Sequence, residues 1–296
     1  MSIIFVFLDG VGLTSAGPDN PLADASMPAL HALLGGPLVS EQVQDSAGVL
    51  LRGIDATLGV AGTPQSGTGH TALLCGVNAA AMHGRHQPAF PPVALRPLLA
   101  EQSVMQRVQA CGGSVAFANA FPAERISAMQ AGQARRSASV IAAMGAGVTL
   151  RTLSDVAAGQ ALTWDITGEV LQAPPVTPVA AGQTLLRLAA TADLVLFECF
   201  LPDLVGHGRI DADPAEVLTR IDALLGAVLA ARRPADSLLV TSDHGNIESR
   251  CAPSHTRNPV PLLLVGPAAT TFRRIVDITG VAGAIVSTLC RRESDP

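Results

Sequence analysis

Short, uninterrupted apolar runs alternate along this chain with longer stretches in which apolar residues return every three or four positions. The runs at Ile3–Leu8, Val49–Ile54, Ser114–Ala118, Leu194–Phe197, Leu238–Thr241 and Leu262–Val265 predict strands. Runs that are apolar throughout, ending in charged residues, read as strands buried on both faces. The stretches Met27–Leu34, Leu95–Ala110, Val179–Ala190, Pro214–Ala231 and Ile278–Leu289 predict helices. Gly112-Gly113 stops one of these just before a strand, as a C-terminal cap does. Strands alternating with helices predict an α/β fold, a mostly parallel sheet with helices on both faces. The pattern changes between Phe121 and Pro175, where a polar Arg- and Ser-bearing section, short Gly-rich segments and Trp164 replace it. The expectation is a core of residues 1–120 and 176–296 with a small inserted cap of residues 121–175.

Composition narrows the setting. At 296 residues, 48% hydrophobic and 15% charged, the chain has enough apolar material for one large core. Much of that material is Ala, and no run approaches the roughly 18 to 20 residues a membrane span requires. Asp9-Gly10 interrupts the N-terminal run where a signal peptide would stay apolar, so a cytoplasmic protein without membrane attachment is expected. A net charge of −5, with basic residues clustered only as pairs such as Arg135-Arg136, gives nucleic acid no footprint. The five cysteines are scattered and lack CxxC spacing, which predicts reduced, mostly buried thiols. Neither Lys nor Tyr occurs, so anion binding must rest on Arg, His, backbone N–H groups or metal.

The strand-like runs then acquire a common feature. The first ends at Asp9-Gly10, the fourth leads into Asp203-Leu204-Val205-Gly206-His207, and the fifth ends at Asp243-His244-Gly245, with His255 shortly after. Open α/β sheets place active sites at such strand tips. Singly, a strand-end Asp is a cap or turn former, and a lone His is a surface residue as often as a ligand. Asp203 and His207 stand four apart, which suits two ligands on one helical turn. Together, three carboxylates and three imidazoles suit divalent Zn or Mn better than Mg. Gly62 to Thr71 sets small residues and hydroxyls ahead of an expected helix at Ala72–Cys75; exposed N–H groups and a positive dipole end suit a phosphate. Ser66 and Thr68 are the candidate nucleophiles of that loop.

These motifs, in this order, resemble the alkaline phosphatase superfamily, and most closely its metalloenzyme branch containing cofactor-independent phosphoglycerate mutase and phosphopentomutase. The resemblance spans Asp9 to Pro261. It implies an alkaline-phosphatase-like core and two divalent metal ions. Asp9, Ser66, Asp243 and His244 would hold one, and Asp203, His207 and His255 the other. Ser66 would be the nucleophile, forming a phosphoserine, with Thr68 as runner-up. Arg85, in a Gly-Arg-x-x-Pro segment, and Arg257 are the preferred substrate arginines; Arg209 sits beside a ligand motif, and Arg125, Arg135, Arg136 and Arg151 lie in the insertion. Asn246 reads as able to support a ligand and Glu248 as solvated surface.

Two departures bear on the reaction. Phosphoglycerate mutases of the two-metal type carry a much larger second domain, and phosphopentomutases have Thr where this chain has Ser66. A mutase must hold its dephosphorylated intermediate while it reorients, which asks for an enclosing lobe. A small cap favours water as acceptor. The expectation is therefore a phosphohydrolase acting on a small-molecule phosphate ester, with a mutase as the alternative and a non-catalytic metal-binding scaffold as a distant third.

Overall fold

In the computed structural model, residues 1–290 are described except Ala47 and Pro253. Nine strands form. β1 (Ile3–Leu8), β2 (Gln44–Ser46), β3 (Val49–Ile54), β4 (Val115–Phe117), β7 (Leu194–Cys199), β8 (Ser237–Thr241) and β9 (Val260–Val265) make one sheet; β5 (Ala120–Phe121) and β6 (Arg151–Thr152) make a small second one. The large sheet has the order β2-β3-β9-β8-β1-β7-β4. β4, β7, β1 and β8 pair in parallel, while β9 is antiparallel to both β8 and β3, so these four and β3 share one direction. The predicted mostly parallel sheet is present, with β2 and β9 reversed.

The strands explain the two cores. Side chains alternate across a strand, so β1 sends Ile3, Phe5 and Phe7 into one cluster and Ile4, Val6 and Leu8 into the other. All six are at most 3% exposed, as the centre of a doubly covered sheet requires. The helices Ser66–Cys75, Val104–Ala110, Ala138–Gly145 and Gly280–Leu289 contribute to the first cluster, and Pro28–Leu34, Pro178–Ala189 and Pro214–Ala231 to the second. Asp222 ties two of these together by accepting the Ala29 and Leu30 N–H groups at 2.9 and 2.8 Å, capping a helix whose own Met27 supplies no side-chain cap.

Several expectations need correction. The single helix expected over Leu95–Ala110 is two, Arg96–Gln102 and Val104–Ala110. Ser103 turns extended between them (ψ 161°) and its hydroxyl caps the second by accepting the Gln106 N–H. The helix expected at Ala72–Cys75 begins at Ser66, because Gly67 and Gly69 are absorbed into its first turns. Cys111 and Cys290 are not reduced thiols. They form a disulfide across 179 residues, joining the ends of two helices that pack together; sequence spacing carries no signal of that proximity. Cys75 and Cys199 are free and buried, Cys251 free and exposed.

Register sets up the functional end of the sheet. Leu8 lies opposite Cys199, and Phe7 opposite Thr241, so β1, β7 and β8 end level. The segments that follow them (Asp9-Gly10, Phe200 to His207, and Ser242 to Glu248) therefore emerge side by side. Within the stretch 121–175, the helix Ala138–Gly145 packs against Arg96–Gln102 and Ser66–Cys75. The segments around Phe121–Arg135 and Trp164–Leu171 instead border a cavity above the strand ends. Among the described residues no helix is long and apolar enough to cross a membrane.

Candidate metal centre

Two neighbouring groups of ligand-type atoms occupy this edge. In the first, Leu201–Gly206 forms a short helix that puts Asp203 and His207 one turn apart, as their spacing predicted. His207 Nε2 lies 3.3 Å and His255 Nε2 3.2 Å from Asp203 Oδ1, and the two imidazole nitrogens are 2.9 Å apart. A tetrahedral metal with bonds of about 2.0 to 2.1 Å has ligand–ligand edges of about 3.3 to 3.4 Å, so this triangle is close to one face of such a site. The His255 ring is oriented from behind, since Nδ1 lies 2.9 Å from the Pro64 carbonyl and Nε2 is left facing Asp203 and His207. Asn246 donates from Nδ2 to Asp203 Oδ1 at 2.8 Å.

The second group surrounds His244. Its Nε2 lies 3.1 Å from Asp9 Oδ1, 3.5 Å from Asp243 Oδ2 and 3.0 Å from Ser66 Oγ. Asp9, Asp203 and His244 also present atoms within 4.8 Å of one another, so the two groups adjoin. The His244 and His255 rings stack at 3.7 Å. Ser66 is the first residue of its helix, whose leading N–H groups have no helical partner. Gly69 lets that helix approach: a Cβ there would meet Asp243 Oδ2 at 2.7 Å. Gly10, at φ +77°, turns the chain directly after Asp9, and a Cβ on it would meet the Asp203 backbone at 2.8 Å. Thr68 is committed elsewhere; its hydroxyl donates to the Gln65 carbonyl and accepts the Gln87 N–H.

The electrostatics fit cation binding. Asp243 Oδ1 and Oδ2 are buried and accept no hydrogen bond, an arrangement that is costly without a positive charge. Burial pushes Asp243 up to about 6. Burial opposes charge on Asp9 too, but the His70 charge and the hydrogen bonds from His244 and His70 hold it far below the usual carboxylate range. Against burial, the Asp243 and Asp9 carboxylates raise His244 to about 9. His207 is held below the ordinary imidazole value by burial, and Asp203 is lowered, burial notwithstanding, by the hydrogen bond from His255.

Three buried side chains escaped the sequence reading. His70 lies 3.4 Å from Asp9 Oδ2 and 3.3 Å from Asp243 Oδ2 through Nε2, and 3.2 Å from Glu198 Oε1 through Nδ1. Ser139 donates a short hydrogen bond to the other Glu198 oxygen. Against burial, the flanking Asp243 and Asp9 raise His70 well above its usual value, which favours its charged form behind the two carboxylates. An acid inside the apolar run Leu194–Cys199 was the available signal for Glu198. Glu248 is a correction. Expected at the surface, it is wholly buried and accepts the Gly12 and Asn246 N–H groups at 2.9 and 2.7 Å, Asn258 Nδ2 at 3.0 Å and the Thr256 hydroxyl. It cross-links the loops that carry Asp9, His244 and His255.

Beside these groups opens a cavity of about 680 Å³ whose wall includes Asp9, Ser66, His70, Asp203, His207 and His255. Arg85 and Arg257, the preferred substrate arginines, are exposed and outside it, and Arg257 donates to the Gly62 carbonyl at 2.7 Å. Arg125, Arg135 and Arg209 line it instead. Sequence neighbourhood could not tell which arginines the folded insertion turns toward the strand ends.

An α/β sheet that gathers buried Asp and His groups beside a helix-start serine defines a metalloenzyme architecture. The chain belongs to the metalloenzyme superfamily, whose family model matches residues 1–291. The 2,3-bisphosphoglycerate-independent phosphoglycerate mutase of Thermomicrobium roseum is 34% identical over 126 residues, covering 40% of this chain and 23% of that protein. A phosphopentomutase of Methylobacterium sp. is 43% identical over 86 residues, 27% of this chain and 21% of that protein. These matches thus span under a quarter of each curated relative. The fold is shared with a cold-active alkaline phosphatase from a psychrophilic Shewanella sp., with a TM-score of 0.58, 16% identity and coverage of 98% of this chain and 100% of that one.

Proposed function

We propose that this chain is a two-metal phosphohydrolase that cleaves a small phosphate ester through a phosphoserine at Ser66. The observation that carries the reading is Ser66 itself. Its hydroxyl stands at a helix start, 3.0 Å from His244 Nε2, and opens into the cavity shared with Asp203, His207 and His255. Asp9, Ser66, Asp243 and His244 would hold one divalent ion, and Asp203, His207 and His255 the other. When bound, such a pair offsets charge on the phosphoryl oxygens and on the entering and leaving oxygens. Zn or Mn suits the mixed carboxylate and imidazole set.

The chain's own groups supply the rest. The helix start aims Ser66 and offers N–H groups to phosphoryl oxygens. Attack by Ser66 Oγ forms the Ser–phosphorus bond as the ester's alcohol departs. Water then takes the phosphoryl group, restoring the serine and releasing phosphate. His70 keeps Asp9 and Asp243 in position, and Arg125, Arg135 and Arg209 offer cations at the cavity wall. The inserted stretch 121–175 is assigned the role of substrate cap.

Ser66→Ala should abolish turnover and covalent labelling by a radiolabelled phosphate ester while metal content stays near wild type. Retained labelling would move the nucleophile elsewhere, Thr68 being the nearest other hydroxyl of that turn. The similarity to mutases favours one second reading, intramolecular transfer. It predicts an isomeric phosphate product without release of inorganic phosphate, and phosphate release in step with substrate loss rules it out.

A further inference from the structure

The distribution of aromatic side chains points to the kind of ester. The chain has eight Phe, one Trp and no Tyr. Phe5, Phe7, Phe117, Phe197 and Phe272 are fully buried in the cores. The other four, Phe90, Phe121, Trp164 and Phe200, are partly exposed, and all four line the cavity beside the metal ligands. They arrive from separate places: the loop after Gly84, the end of β5, the stretch between β6 and β7, and the turn after β7. Trp164 and Phe200 meet edge to face at 6.1 Å, and the guanidinium of Arg135 lies 5.1 Å above the Phe90 ring. Partly exposed rings gathered in one concavity are an apolar surface awaiting a partner.

We propose that this cavity recognises a phosphate ester whose organic group is aromatic, the ring lying against Trp164, Phe200, Phe121 and Phe90 while the phosphoryl group faces Ser66. This rests on the phosphoryl-transfer reading above. The aromatic wall is continuous with Ser66, Asp203, His207 and His255 in a single cavity, so an organic group attached to a phosphoryl at Ser66 has that wall within the same space. Transferring a ring from water onto such a wall strengthens binding by about 10- to 100-fold.

Trp164 is the chain's one Trp, so indole fluorescence reports this wall directly and without turnover. Zn-loaded protein is titrated with phenethyl phosphonate and with ethyl phosphonate, which share a phosphoryl group and resist hydrolysis. The expected result is at least about tenfold tighter binding of the phenethyl compound, with a change in Trp164 emission. Phe200→Ala and Phe121→Ala, which retain Trp164, should each shrink that ratio. Equal affinities, or a ratio untouched in both variants, overturn the proposal. Turnover of phenethyl phosphate and ethyl phosphate is followed in parallel. Cleavage of both without preference sinks the aromatic site and leaves the hydrolase standing; selective phenethyl phosphonate binding without cleavage of either ester does the reverse.

Discussion

Lowering the pH from about 9 to about 7 should weaken metal binding at the His244 group far more than at the Asp203–His207–His255 group. In the metal-free chain, neighbouring Asp243 and Asp9 hold the His244 proton up to about 9, yet a ligating imidazole must be neutral. Each pH unit below that value therefore costs tenfold in apparent affinity. Between pH 9 and pH 7 this amounts to roughly 100-fold, or about 2.7 kcal/mol, with one proton released per ion. Below about 6, Asp243 takes a second proton and the slope steepens. At the other group, His207 and Asp203 both lie below their ordinary values and have no proton to displace near neutrality. Calorimetric titration of chelator-treated protein with Mn²⁺, in buffers of different ionisation enthalpy, separates the two. His207→Ala, which cripples the second group, isolates the first. Equal pH slopes at both groups, or no proton release in His207→Ala near pH 7, would refute the reasoning. The sign reverses for metal-free stability. The raised His244 contributes fully below the unfolded-state value of about 6.5 and loses its contribution as pH rises through about 9.

Other predictions follow from buried connections. Glu248→Ala strands two backbone N–H groups in the interior, and should cost about 3 kcal/mol or more in chemical denaturation while loosening both metal groups. A loss under about 1 kcal/mol would show the cross-link to be dispensable. Reduction of Cys111–Cys290 should lower stability by up to about 5 kcal/mol on a chain-entropy basis, given a 179-residue separation. Cys290→Ser should be insensitive to reductant, and a wild-type melting curve equally insensitive would sink that expectation.

Local pattern carried six strands, all but β2, β5 and β6, and the Asp- and His-bearing tips that follow three of them. The run Ile3–Leu8 is apolar at every position because helices cover both faces of the sheet centre, and that condition is visible in one dimension. The four-residue interval of Asp203 and His207 is likewise local, since one helical turn fixes their relation. What failed was whatever depended on who lies opposite. Glu248 looked like surface because nothing in its neighbourhood reveals the Gly12 and Asn258 donors. Ser103 divides a helix that periodicity alone continues.

The sequence by itself determined an α/β chain whose strand ends carry Asp and His, because strand burial and ligand chemistry are properties of short segments. Only the tertiary structure decided that Asp9, Asp203 and His244 come within 4.8 Å, that His70 stands behind Asp9 and Asp243, and that Cys111 reaches Cys290. It alone decided as well that Arg125, Arg135, Arg209 and the four partly exposed aromatic rings share one cavity while Arg85 and Arg257 lie outside it. These are relations between segments brought together by sheet order and register, and no local pattern of side chains encodes them.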